Sequence, residues 1–223
     1  MIIIHNLSSI TIKNNNFLRF CVFSYYNVDM KIYDLIKSRR SIRKFKQEPI
    51  ELSVLKRLVN AGRLAPSAGN LQPLEYIVTI DDTVKEKIFP NVRWARYIAP
   101  EGNPKEDERP TAYIIILINK ANLLVPFYKY DVGASAENIT LLALEEGIGC
   151  CWIGSFDRKK IENILNIPDG HSIDLILALG YPLESPEYYD IEKDKSIKYH
   201  KDTSGRLHIP KRKLDDIIHI DHF

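Results

Sequence analysis

The sequence predicts a layered sandwich of helices around a sheet, of α/β or α+β type, and three observations predict it. Helical and strand patterns alternate through the middle of the chain, which asks for helices stacked on a sheet. The apolar run Tyr113 to Ile118 has strand length and no polar alternation, so it reads as a buried strand. Asp131 to Glu146 is apolar over most of its circumference, the mark of a buried helix. At 223 residues and 45% hydrophobic, the chain suits one domain with a substantial core.

The elements follow in order. Residues 1–29 differ from the rest: Met1–Ile4 and Phe17–Val22 are apolar, and only Lys13, Arg19 and Asp29 are charged. They lack the basic start and cleavage site of a signal peptide. We expect an atypical N-terminal extension here, with Met30 as the true start; the alternative is an added strand or docking arm. The domain proper is expected over 30–223. Ile32, Leu35 and Ile36 give its first helix an apolar stripe. An extended segment ends at Pro49. Leu52, Leu55, Leu58, Val59 and Gly62 mark one face of a helix to about Leu64, closed by Pro66. A non-periodic loop, Pro66 to Pro73, precedes a strand over Glu75 to Ile80. Asp81-Asp82 caps a short helix near Thr83 to Ile88. Residues 90–110 carry four prolines and form a long surface excursion, placed to act as a lid.

The buried strand Thr111 to Ile118 and the helix Asp131 to Glu146 come next. The helix opens on small residues, Gly133 to Ala136, which let another element approach closely. Gly147-Ile148-Gly149 breaks it. Cys150 to Ile153 reads as a strand, and Gly154 to Asp157 as a turn in which Asp157 caps a helix over 158–165. Ser172 to Leu179 is a further buried strand. A charged segment without a clear element follows, then Lys211-Arg212-Lys213 and a short helix at Leu214 to Ile218.

The totals exclude several classes. A formal net charge of +2 argues against a general nucleic-acid or membrane-surface protein. No apolar run approaches the ~18–20 residues of a membrane helix. Three cysteines, two adjacent, make neither a disulfide framework nor a metal motif; a reducing cytoplasm is expected. Cys150 and Cys151 read as buried strand residues. The six histidines are scattered without ligand spacing, read as surface residues, and no metal is expected.

Three segments carry candidate chemistry. Between Lys37 and Lys46, six of ten residues are cationic, with Ser38 and Ser41 among them. Such a cluster in a near-neutral chain costs self-repulsion unless an anion relieves it, and guanidinium forks with hydroxyls suit a phosphate. A solvated face or a nucleic-acid patch is the rival reading. The Pro66–Pro73 loop offers the amides of Asn70 and Gln72, which suit the edge of a heteroaromatic ring; the rival is a helix-terminal turn. Gly147 to Asp157 sets glycines on both sides of a short apolar strand, where a flat ligand could lie against backbone; the rival is turn punctuation.

Together, in this order, the segments resemble the nitroreductase family of FMN-dependent oxidoreductases. Arg39 to Phe45 matches its Arg-Arg-Ser-x-Arg-x-Phe opening. Ala65 to Pro73 matches Ala-Pro-Ser-x-x-Asn-x-Gln-Pro, and Gly147 to Asp157 matches Gly-x-Gly running into Gly-x-Phe-Asp. Arg212 precedes a Leu-Asp-Asp-Ile segment as the family's C-terminal basic residue does. The resemblance covers about Met30 to the C-terminus. It implies an α+β fold: an α/β/α sandwich with a central mixed, mainly antiparallel sheet, in an intertwined homodimer.

It also implies site residues and activity. Arg39, Arg40, Ser41 and Arg43 would hold the phosphate, ribityl chain and ring edge of a tightly bound FMN. Pro66, Ser67, Ala68, Asn70 and Gln72 would approach the ring from the other protomer, since the cofactor lies at the dimer interface. Ile153, Gly154 and Ser155 would lie along the ring, and Arg212, helped by Lys211 or Lys213, would return to the phosphate. NADH or NADPH would deliver hydride through flavin N5 to nitro, quinone or related small-molecule acceptors by a ping-pong scheme. No catalytic acid or base is named. Alternatives are a dedicated dehydrogenase or dehalogenase of the same fold and a non-catalytic flavin-binding protein. The chain lacks room for a long inserted helical pair, and no lysine matches the one some members place near flavin N1.

Overall fold

The computed structural model describes residues 31–223. The expected extension over residues 1–29 lies outside the described residues, as do His5 and Cys21. Helix α1 spans Ile32–Ser38, α2 Leu52–Arg63, α3 Asp82–Ile88, α4 Tyr128–Glu145 and α5 Arg158–Ile164. Strand β1 spans Leu74–Thr79, β2 Ala112–Asn119, β3 Gly149–Ile153 and β4 His171–Gly180. The four strands form one antiparallel sheet in the order β1-β2-β4-β3. A single parallel bridge, Ser41 to Cys150, lays the basic arm against β3.

Alternation along β2 explains the layers. Ile114 and Ile116 face a core shared with α2 and α4, through Leu55, Leu58, Ile139 and Ala143. Tyr113 and Ile115 face the other core, with Ile88 of α3, Ile161 of α5 and the arm's Ile42 and Phe45. Both faces are therefore covered, and β2 is apolar throughout. Where Ile116 pairs Leu175 and Leu117 pairs Ile173, β4 bulges by one residue. The extra residue is Asp174, which pairs with Lys129 at the start of α4.

The helix ends follow the sequence. Asp81 accepts the Val84 N–H at 3.0 Å and Asp157 the Lys160 N–H at 3.2 Å, so both caps act as expected. Gly62 lets α2 press on α4: a Cβ there would sit 2.8 Å from Ile139 Cδ1 and 2.9 Å from Ser135 Oγ.

The C-terminal region differs from expectation. Its charged segment folds into a small sheet of β5 Glu187–Ile191, β6 His200–Lys201 and β7 Leu207–Arg212, with β7 central. β5 and β7 run parallel, β6 and β7 antiparallel. Few of its side chains are buried, Ile191, Leu207 and Pro210 among them, so apolar alternation gave no signal. Its polar partners are specific: the His208 ring bridges Glu187 at 3.2 Å and Asp202 at 2.9 Å. His208 and His171 are thus partly enclosed rather than simple surface residues. The expected last helix is a single turn, Leu214–Asp216. Among the described residues no helix is long and apolar enough to cross a membrane, and no acidic, His or Cys cluster is placed to hold a metal.

Two glycines set how closely the arm can lie. A Cβ on Gly149 would fall 2.8 Å from Ile42 Cβ, and one on Gly180 2.7 Å from Phe45 Cβ. Neither neighbour is a flexible tip, so the backbone must move. Gly149→Ala and Gly180→Ala should each cost about 1–3 kcal/mol, read as a lower denaturation midpoint with unchanged slope.

Candidate functional site

The basic arm is held by its backbone. Ile42 N–H donates to Cys150 O at 3.0 Å, Phe45 N–H to Glu108 O at 3.0 Å, and Lys46 N–H to Tyr181 O at 2.8 Å. Leu183 N–H returns a bond to Lys44 O at 2.9 Å. Ile42 and Phe45 point into the core, which leaves the cations between them on the surface. The parallel bridge sets the direction: the arm advances beside β3, so Arg39 acts on the thiol of Cys150 and Arg43 on that of Cys151. Burial pushes those thiols up, to about 12 and about 11, so neither is a thiolate at neutral pH.

Arg39 and Arg40 open onto a cleft of about 220 Å³, walled by Thr140 and Leu144 of α4, the Gly147–Cys150 crossing and Glu184. Arg39 Nε lies 3.4 Å from Glu137. Arg40 stacks over the Tyr188 ring, 4.2 Å from its centroid, and donates to Lys37 O at 2.6 Å. Its Nε is buried without a partner. Burial, and then the Arg39 charge, hold the Arg40 pKa below its ordinary value. A bound anion would oppose both effects by favouring the charged guanidinium.

Ser41 and Arg43 do not line that cleft. Arg43 donates its N–H to Glu184 Oε1 at 2.6 Å, and its guanidinium lies 5.5 Å from the Tyr199 ring centroid. Ile153 is buried at the end of β3, and Gly154 and Ser155 are exposed beyond it. A Cβ on Gly154 would meet nothing within 4 Å, so this surface is open. The 90–110 excursion borders it: Arg93 N–H donates to Ser155 O at 2.9 Å. Tyr97 of the excursion meets Tyr199 edge-on at 5.0 Å. The indole N–H of Trp152 donates to Thr140 Oγ1 at 2.8 Å.

The Pro66–Pro73 loop stands at the other end of α4. Buried Asp131 accepts the Ala68 N–H at 3.0 Å, and Ser67 Oγ accepts the Gln72 N–H at 3.1 Å. Gly69, Asn70 and Gln72 all have positive φ, which is costly for the two non-glycine residues. The Asn70 and Gln72 side chains are left exposed. Pro66, Ser67 and Gln72 line a second cleft of about 480 Å³ with Asp131 and Tyr76. From Asp131 to Leu144 the helix rises roughly 20 Å. One chain therefore presents the two groups of residues apart.

Arg212 lies exposed on the last residue of β7, and Lys213 pairs with Glu192. Neither touches the arm among the described hydrogen bonds and ion pairs. Sequence reasoning missed Glu137, Glu184, Tyr188 and Tyr199, which hold the arginines. Glu137 gave no local signal, being one polar residue among several on its helix, with Asp131, Asn138 and Glu145.

A sequence model of the nitroreductase family matches residues 36–181. A protein from Methanothermobacter thermautotrophicus, provisionally named NADH dehydrogenase/NAD(P)H nitroreductase, is 30% identical over 167 residues, covering 73% of this chain and 83% of that protein. The crystal structure of a nitroreductase family protein from Clostridium novyi NT matches with TM-score 0.60 and 31% identity, over 70% of this chain and 87% of the other. A provisionally named nitroreductase from Desulfovibrio desulfuricans, solved in complex with FMN, matches with TM-score 0.60 and 19% identity over 86% and 98%; at that identity the likeness speaks to fold.

Two outcomes are expected. Asp131→Ala should cost about 1–3 kcal/mol by orphaning a loop N–H, while Asp131→Asn, which can still accept, keeps most of it. Urea titration of both variants checks this. At the arm, burial disfavours the Glu108 charge, but the Lys105 N–H and the Lys44 ammonium, 2.8 Å away, outweigh it, so its pKa is lowered. Its contribution to stability is complete above the ordinary value of 4.5 and is lost as pH falls through the lower folded value. Glu108→Gln should therefore flatten the acid limb of stability measured against pH.

Proposed function

The chain belongs to the nitroreductase family, and on that footing we propose that it is an NAD(P)H-dependent FMN oxidoreductase. It acts on nitro compounds, quinones or related acceptors, as a homodimer with FMN at the interface. The observation that carries the reading is the division of candidate residues between the two ends of α4. At one end stand Arg39 and the burdened Arg40; at the other stands a strained loop offering Asn70 and Gln72. A second copy, turned about a two-fold axis, would bring the loop of one chain to the arm of the other, twice.

The residues present fit the cofactor. Arg39 and Arg40 would bind its phosphate, and the orphaned Arg40 Nε would gain an acceptor. Ser41 and Arg43, further along the arm, would serve the sugar chain and ring edge. Ile153 would form the floor beside the ring, with Gly154 and Ser155 leaving its face open to a flat reactant. Pro66, Ser67, Ala68, Asn70 and Gln72 of the second copy would close the other side. Arg212 is the C-terminal cation we assign to the phosphate; Lys213 is engaged by Glu192. Bound there, FMN would supply hydride transfer, from nicotinamide to acceptor in two half-reactions. The chain's part is to bind, orient and shield.

Exposed apolar side chains support the seam. Ile32 and Ile36 of α1 are 68% and 48% exposed, and Leu64, Leu71 and Tyr130 beside the loop are also uncovered. Such surface near a half-site suits burial against another copy.

Purified protein is expected to be yellow and to bleach anaerobically with NADH or NADPH. A colourless protein that takes up no added FMN rejects the reading; colour without bleaching reduces it to flavin binding. Arg40→Ala should weaken FMN binding by about tenfold or more. A chain carrying Arg39→Ala and Arg40→Ala, mixed with one carrying Asn70→Ala and Gln72→Ala, should recover flavin binding that neither has alone. No recovery, with heterodimers formed, places both halves in one chain.

A further inference from the structure

A third cleft, of about 210 Å³, lies between α3 and the chain leading into β2. Its floor holds donors with nothing to bond. Tyr113 is 1% exposed, and its hydroxyl has no hydrogen-bond partner among the described residues. Arg109 Nε is likewise buried and unpartnered. The Arg109 guanidinium lies over the Phe89 ring, 4.4 Å from its centroid, and makes no ion pair among the described residues. Thr111, just outside the lining, has a further buried hydroxyl without a partner among the described residues. Arg109, Pro110 and Tyr113 all line this cleft.

Native structures leave few such groups unmet, and each asks for a partner. Lys85 adds charge at the wall: Nζ donates to Thr111 O at 3.1 Å and pairs with Asp82 at 2.8 Å, leaving its third donor unused. Burial pushes the Tyr113 pKa up, against the pull of Arg109, so the hydroxyl keeps its proton and remains a donor. The rim has the opposite character. Glu86 and Glu106 line it and are exposed.

We propose that this cleft binds a small zwitterion of amino-acid size, with its carboxylate on Arg109 and Tyr113 and its ammonium between Glu86 and Glu106. A bare anion would satisfy the floor and be repelled by the rim; a bare cation would do the reverse. A molecule carrying both charges suits both. The cleft lies outside the arm and the loop, so the inference does not depend on the flavin reading.

The test uses the full chain and three matched probes: L-alanine, propionate, which lacks the ammonium, and ethylammonium, which lacks the carboxylate. Binding is followed by ligand-observed NMR and by the rise in Tm. Alanine should bind best, propionate more weakly and ethylammonium not at all. Tyr113→Phe and Arg109→Gln should each weaken alanine binding about tenfold or more, while Arg40→Ala leaves it unchanged. Tyr113→Phe keeps the ring and hence the packing. If the hydroxyl is only an orphan, that variant gains stability and the titration does not move, which overturns the proposal. No saturable binding of any probe overturns it, as does propionate binding as tightly as alanine, or loss of binding in Arg40→Ala.

Discussion

Main-chain hydrogen bonds hold the arm, a segment whose charges are all positive, in place, and the architecture of the site depends on that. A backbone ladder needs no particular side chain, so residues 42–46 can be stitched to Cys150, Glu108, Tyr181 and Leu183 while cations ride above. Two buried side chains, Ile42 and Phe45, anchor the segment from below. Each rests on a glycine, and nothing larger would let it close. Repulsion among the arginines is thereby stored, not relaxed by splaying. Within the chain Glu137 and the Tyr188 and Tyr199 rings meet part of it.

Helix α4 provides the second constraint. It carries Asp131, which fixes the loop, near its start and Thr140 and Leu144, which wall the arm's cleft, near its end. Between them it is packed tightly against α2, where Gly62 meets Ser135 and Ile139. The strain in the loop backbone is held by the same helix: three positive-φ residues persist because a buried carboxylate and a serine hydroxyl pin the chain on either side of them.

The middle of the fold was legible in the sequence because its physics is local. Unbroken apolar strands, two aspartate caps and a Gly62 among leucines each announce their role within a few residues. The small C-terminal sheet was not legible. Its strands are held by pairings such as His208 with Glu187 and Asp202, which leave no apolar period to read. The same divide runs through the site. Arg39, Arg40 and the loop amides stand out as residue types without structural excuse. Their partners, Glu184, Tyr188 and Tyr199, come from more than a hundred residues away in sequence and announce nothing locally. That Arg43 would turn toward Tyr199 rather than the cleft could not have been read from its spacing.

The distance between the arm and the loop along α4 has a consequence for how a completed site behaves in solution. When each half comes from a different molecule, occupancy obeys mass action in the protein as well as in the cofactor. Ligand then acts as a staple between subunits, and subunits act as a lid on ligand, with one linkage free energy counted in both directions. Dilution would release both together. Retention of the cofactor would then be a property of protein abundance, not of affinity alone.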